Sequence, residues 1–317
     1  MSTPANYASI QIAFLALAGG LIMLYAGGEF LVSGASELAK RLRMSSLLIG
    51  LTIVAFGTSM PELFVGLIAN LQNHQDIMIG NVLGSNIANV GLILGISALL
   101  RPIAVQLKTI RTELLLVLAA TLVLTAVTLY GYFTRPFGLI FVAGLILYTY
   151  LSYKGAIEEN KKNNAEPGSG YSYAIICLLI VFGLVSLYYG SGFFIKGAVD
   201  IARHLEISEL VIGLTLAAVG TSLPELASSI AAIRRRQEAL LVGNIVGSNL
   251  FNLLMVLGAC AAVKPYELST RLLWRDMPAA FLFTAVLIPL ISTGNRLTRM
   301  HGLLLLLLYG AYLFLLT

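Results

Sequence analysis

The chain contains one long segment twice. Residues 27–95 align without a gap to residues 190–258 at a constant offset of 163, and 28 of the 69 paired positions are identical. The identities gather in two motifs. Gly57-Thr58-Ser59-x-Pro61-Glu62 matches Gly220-Thr221-Ser222-x-Pro224-Glu225, and Gly80-Asn81-x-x-Gly84-Ser85-Asn86-x-x-Asn89 matches Gly243-Asn244-x-x-Gly247-Ser248-Asn249-x-x-Asn252. Any fold for this chain must therefore place two copies of one unit together, each carrying a carboxylate and several small polar oxygens in very apolar surroundings.

Those surroundings read as a membrane. The 317 residues are 58% hydrophobic and 11% charged, where a soluble domain has roughly 45–50% apolar and about 25% charged residues. Apolar runs of about 20 residues recur, the length that crosses about 30 Å of hydrocarbon as a helix. The expected fold is an all-α polytopic membrane protein with ten transmembrane helices, near 9–33, 47–71, 76–99, 112–133, 136–154, 171–195, 210–233, 238–263, 272–293 and 297–316. The first helix of each half is expected to continue as an amphipathic stretch, through Lys40 and Arg203. Segment 155–170 is the one clearly polar linker. It divides a five-helix unit at 1–154 (motif region 47–99) from another at 171–317 (motif region 210–263), and its composition predicts mobility.

Charge gives the orientation. Placing the N-terminus outside puts 14 of the 20 Lys and Arg on the cytoplasmic side, leaving Arg135, Lys196, Arg203, Lys264, Arg271 and Arg275 outside. That bias favours both termini outside. It also accounts for the net charge of +5 without invoking nucleic acid. Five spans per half is odd, so the second half enters from the opposite face and the repeats are inverted. The hairpin 70–75 has no Lys or Arg, whereas its counterpart carries Arg234, Arg235 and Arg236, as opposite faces predict. A parallel duplication with an even span count is the competing topology. The N-terminus lacks the basic region of a signal peptide, so the first apolar run is expected to stay as a helix. Cys177 and Cys260 sit in apolar runs and read as packed side chains, and His74, His204 and His301 form no ligand cluster.

Glu62 and Glu225 carry the chemistry. An ionised carboxylate inside an apolar helix costs several kcal/mol unless paired or hydrated, and neither motif supplies a Lys or Arg. A bound cation is the expected partner; a protonated glutamate hydrogen-bonded in the bundle is the bland one. Pro61 and Pro224 should break their helices, leaving carbonyls near Ala55 and Ala218 free to face an ion-lined cavity. Thr58 and Glu62, Ser85 and Asn89, and Ser248 and Asn252 are each four apart and share a helix face. An all-oxygen set suits Ca2+ or Na+; without Cys or His it does not suit zinc or copper. Gly80, Gly84, Gly243 and Gly247 form small-xxx-small faces for close helix packing.

These motifs, in this order and in both halves, resemble the α-repeats of the sodium/calcium exchanger family within the cation/Ca2+ exchanger superfamily. The resemblance covers both 69-residue segments and, in outline, the ten-helix layout. It implies four helices around a diamond of ion sites at mid-membrane. Glu62 and Glu225 would be central ligands shared by Ca2+ and Na+. Thr58 and Thr221 would add oxygens to the Ca2+ site, through backbone carbonyls. Ser59, Ser85, Ser222 and Ser248, with the carbonyls of Ala55 and Ala218, would line flanking Na+ sites, and Asn89 and Asn252 would complete the centre. Some members, including potassium-dependent exchangers, have Asp where Asn252 stands, which weakens the case for potassium co-transport here. Two carboxylates neutralise one Ca2+, and three Na+ would leave an excess charge of +1. The central linker is too short for the regulatory loop of animal exchangers, so the chain resembles the compact prokaryotic form of the cytoplasmic membrane.

The resulting expectation is a secondary antiporter, not an enzyme, with no cofactor and with Ca2+ and Na+ as transported ions. Its partners are these cations and the lipid bilayer, with no nucleic acid and nothing requiring more than a monomer. The alternative on the same fold is a Ca2+/H+ antiporter. A cation channel could use the same residues, but inverted repeats with broken helices favour a carrier. An intramembrane hydrolase would need a base beside Ser, and the motifs have no His, Lys or Asp.

Overall fold

A computed structural model of the protein describes residues 6–162, 170–207, 220–268 and 274–316. The described chain is helical apart from four two-residue strands. In order the helices are α1 (Ile10–Leu42), α2 (Ser46–Thr58), α3 (Met60–Leu71), α4 (Gln75–Leu100), α5 (Leu107–Leu129), α6 (Arg135–Lys162), α7 (Tyr173–His204), α8 (Leu223–Arg234), α9 (Glu238–Val263), α10 (Asp276–Ser292) and α11 (Arg299–Phe314). Helices α2 and α3 form one span, bent by 43°, and α8 is the described end of the seventh span. The protein thus has the ten-span layout of two five-helix repeats. Residues 210–219 of the seventh span and 272–273 of the ninth lie outside the described residues.

The strands show the inversion directly. β1 (Ile103–Ala104) pairs antiparallel with β4 (Arg296–Leu297), and β2 (Tyr132–Phe133) pairs with β3 (Tyr266–Glu267). β3 is the repeat counterpart of β1, and β4 of β2. The two ladders are therefore one pairing made twice, once on each membrane face, and each stitches the first repeat to the second.

Helices α1 and α7 outrun the bilayer, at 33 and 32 residues. They pack antiparallel along their length through a glycine seam: Gly20, Gly27 and Gly34 on one, Gly183, Gly190 and Gly197 on the other. A seven-residue spacing keeps one face of each helix in register with its partner, and the missing side chains let the backbones approach closely. A Cβ at Gly190 would lie 2.9 Å from Leu24 N, and one at Gly183 would lie 2.6 Å from Leu31 N. Overpacking of this kind costs about 1–3 kcal/mol. Gly190→Leu should therefore lower the melting temperature in detergent, while Gly19→Leu, where nothing lies within 4 Å among the described residues, should not.

Against this pair stands a core built from α2, α3 and α4 of the first repeat and α8 and α9 of the second. Helix α9 is buried over most of its length, and Asn70 of α3 ties down its end by donating to the carbonyls of Cys260 and Lys264, each at 2.8 Å. One boundary differs from the sequence expectation. Helix α6 continues to Lys162, well into the polar linker, because a run of good helix formers propagates a helix after its apolar face has ended. Residues 163–169 of that linker lie outside the described residues.

Candidate functional site

The helix breaks put both glutamates at helix N-termini. Ser59 (φ −84°, ψ 1°) and Ser222 (φ −90°, ψ 6°) precede α3 and α8, and Pro61 and Pro224 occupy their first turns. Proline is tolerated there because its missing N–H would have no intrahelical partner. Glu62 and Glu225 fall in the same first turns, where the helix dipole favours negative charge by about 0.3–2 kcal/mol. Glu62 is 0% and Glu225 1% exposed. The desolvation cost of each ion is several kcal/mol, so the dipole alone does not offset it.

Other oxygens converge on the pair. Thr58 Oγ1 lies 3.2 Å from Asn244 Oδ1 and 3.3 Å from Ser248 Oγ. The second copy repeats this, with Thr221 Oγ1 3.1 Å from Asn81 Oδ1 and 3.4 Å from Ser85 Oγ. Ser85 donates to Glu62 Oε1 at 3.4 Å and accepts from Ser222 at 3.3 Å. Glu62 Oε2, both carboxylate oxygens of Glu225, Asn89 Oδ1, Asn252 Oδ1 and Ser59 Oγ are buried with no hydrogen-bond partner among the described residues. Buried polar atoms without partners are rare and costly. These six unpartnered oxygens come from residues of four helices, and oxygen is the donor that hard cations take.

The structure buries ten of the twelve residues singled out from sequence and leaves Thr221 partly buried; Ala218 lies outside the described residues. Ala55 departs from expectation in one respect. Its carbonyl is not freed by the break but accepts from Ser59 N at 3.0 Å. The N–H that Pro61 lacks would have bonded Gly57, four residues earlier, not Ala55. The Thr58 hydroxyl also points to the Ala55 carbonyl, at 3.5 Å.

Four further asparagines were within the repeated motifs and not singled out. Asn81 and Asn244 contact the threonines as described. Asn86 and Asn249 form the molecule's pseudo-two-fold centre: Asn86 Nδ2 donates to Asn249 O at 3.1 Å, and Asn249 Nδ2 donates to Asn86 O at 3.3 Å. Their side-chain oxygens in turn accept from Asn252 Nδ2 at 3.1 Å and Asn89 Nδ2 at 2.9 Å. With its amide nitrogen so engaged, each of Asn89 and Asn252 keeps its Oδ1 unpartnered. Both begin π-helical segments, Asn89–Leu94 and Asn252–Val256, a local widening common at functional sites.

Cavities reach the threonines of both repeats. One of about 400 Å3 is lined by Thr58 with Pro61 and Pro224, one of about 480 Å3 reaches Asn81, Ser85 and Thr221, and one of about 460 Å3 reaches Thr221 beside Pro61 and Lys196. Gly243 and Gly247 of α9 press on the α2 backbone. A Cβ at Gly243 would lie 2.3 Å from Leu47 O, and one at Gly247 would lie 2.6 Å from Leu51 O.

Known proteins share this fold and sequence. A sequence model of the sodium/calcium exchanger protein family matches twice, at residues 12–154 and 175–317. A putative antiporter, CaxA, of Alkalimonas amylolytica is 38% identical over 316 residues, covering 94% of this chain and 96% of its own. The sodium/calcium exchanger MaX1 of Methanosarcina acetivorans is 31% identical over 352 residues, covering 96% and 98%. A solved structure of the sodium-calcium exchanger NCX_Mj, soaked with zero Na+ and Ca2+, superposes with a TM-score of 0.84 at 30% identity, covering 98% of this chain and 100% of its own.

Proposed function

The chain belongs to the sodium/calcium exchanger family, and on that premise we propose that it carries Ca2+ out of the cytoplasm in exchange for entering Na+. That it is an integral membrane antiporter of the cation/Ca2+ class, and not an enzyme, follows from membership. The coupling ion, the direction and the ligand set belong to the proposal. The observation that carries it is the group of unpartnered buried oxygens on Glu62, Glu225, Asn89, Asn252 and Ser59.

In this reading Glu62 and Glu225 bind either Ca2+ or Na+ at the centre, with Asn89 and Asn252 completing it. Thr58 and Thr221 add oxygens to the Ca2+ site. Ser59, Ser85, Ser222 and Ser248, with the Ala55 and Ala218 carbonyls, line the Na+ sites. Since the ions compete for two carboxylates, the site holds one kind at a time. The glycine seam makes α1 and α7 a single body, and Gly28 lies against the Ala227 carbonyl of α8, a smooth contact along which that body can slide. Sliding would expose the centre to one face and then the other. The basic loops support both termini outside in a cytoplasmic membrane. The halves 1–154 and 171–317 then act as the two inverted units, joined by 155–170.

Radiolabelled Ca2+ uptake into proteoliposomes loaded with Na+ tests this at one fixed pH. Uptake on dilution into Na+-free buffer, absent in Na+-matched buffer, is the expected result. Uptake indifferent to Na+ but driven by a pH gradient would assign H+ as the coupling ion instead.

A further inference from the structure

The two halves share a second feature, outside their motifs. Asp276 begins α10 and Glu113 lies in the second turn of α5, 163 residues earlier, at the offset of the repeat. Each is met by a tyrosine from the last helix of its own half. Tyr312 donates to Asp276 Oδ1 at 3.0 Å, and Tyr148 donates to Glu113 Oε1 at 3.0 Å. The tyrosines stand 164 residues apart, one more than the carboxylates, and the same single step separates β2 from β4. Because the repeats are inverted, the two acid–tyrosine pairs lie toward opposite membrane faces.

Asp276 is 6% exposed, yet it lines the cavity of about 480 Å3 that ends on Asn81, Ser85 and Thr221. A carboxylate on the wall of a passage to an ion site is placed where a cation must go by. Between ions it is not left bare: Arg275 donates to its two oxygens, from Nε at 3.1 Å and Nη2 at 3.3 Å. Residue 112, the repeat counterpart of Arg275, is a threonine, so the other pair lacks a guanidinium at the matching position; the one nearest in sequence is Arg111, two residues before Glu113. There, Glu113 Oε2 is buried with no hydrogen-bond partner among the described residues. One copy of the pair therefore holds a tethered cation, and the other has an oxygen with capacity to spare. A purely structural acid–tyrosine clasp needs neither feature.

We propose that Asp276 and Glu113 are relay sites for a hydrated cation, Na+ or Ca2+, one serving each membrane face. Each takes the ion at the vestibule and hands it to the central oxygens when that face is open. Arg275 occupies Asp276 in the intervals and is displaced by the arriving ion. The proposal rests on the antiport reading above and deepens it. Acidic groups lining a low-dielectric cleft raise local cation concentration and entry rate by about 10–1,000-fold; Asp76 and Asp276 line the cavity with Arg275, so losing one of the two carboxylates should be felt as a change of about 3- to 10-fold at that face.

Initial exchange rates against external Na+ and Ca2+, in right-side-out cells and in inside-out vesicles, test it. Asp276→Asn should raise half-saturation for cations offered on its own face only, and Glu113→Gln should do so on the opposite face only. Arg275→Gln should lower half-saturation at the Asp276 face, and Asp276→Glu should recover most of what Asp276→Asn loses. If Asp276→Asn does not reach the membrane, Tyr312→Phe, which keeps the carboxylate and removes its tether, should still shift that face alone. Effects equal on both faces, or absent in variants of a wild-type protein that exchanges normally, would overturn the relay. A wild-type protein that moves no Ca2+ under either a Na+ or a pH gradient would instead overturn the antiport reading.

Discussion

Glu225→Gln is expected to remove Ca2+ exchange while leaving the protein folded in the membrane. Glutamine keeps the size and shape of the side chain, so packing in the first turn of α8 is preserved. What changes is the charge, and one oxygen becomes a donor. Both carboxylate oxygens of Glu225 are buried without a hydrogen-bond partner among the described residues, so the swap takes no partner from the protein; the new amide N–H groups face the Thr58 and Ser248 hydroxyls, which can accept, and the loss falls on the bound ion. Removing one partner from a buried charge pair costs about 3–5 kcal/mol, and each 1.4 kcal/mol is a factor of ten. The expected loss of Ca2+ affinity is therefore on the order of 100-fold or more, seen both in exchange rate and in equilibrium Ca2+ binding. Asn252→Ala removes a neutral oxygen, worth roughly 1 kcal/mol, and should cost about tenfold or less. Normal exchange by Glu225→Gln would sink the assignment of the centre.

The sequence made the architecture legible because repetition is itself structural information. Two copies at a fixed offset, an odd number of spans and opposite basic content in equivalent hairpins point to inversion, and the paired ladders β1–β4 and β2–β3 show it. Glu62 and Glu225 were legible for an energetic reason: a carboxylate in an apolar helix needs a partner that the motif does not contain. The asparagines were harder. Nothing in their spacing says that Asn86 and Asn249 bond each other's backbones, since that contact joins residues 163 apart and exists only once the repeats are docked. The Ala55 carbonyl was misjudged because the break was assigned to the carbonyl nearest the motif, when proline frees the one four residues before it. Glu113 and Asp276 keep the offset of 163 but lie beyond the gapless segment and outside its motifs, and the shared tyrosine bond marks them as a pair.

Gly243→Ala should disturb the packing of α9 on α2 strongly. Its methyl would sit 2.3 Å from the Leu47 carbonyl and 2.9 Å from Leu51 N. Both are backbone atoms that no rotamer change can move, so α2 must withdraw. That strain costs about 1–3 kcal/mol, and Gly243→Ala should lower the melting temperature of the ion-free protein. Gly144→Ala, at a position where nothing lies within 4 Å among the described residues, is the control and should leave it near wild type. Equal lowering by both would mean that the close approach of α9 to α2 carries no particular strain.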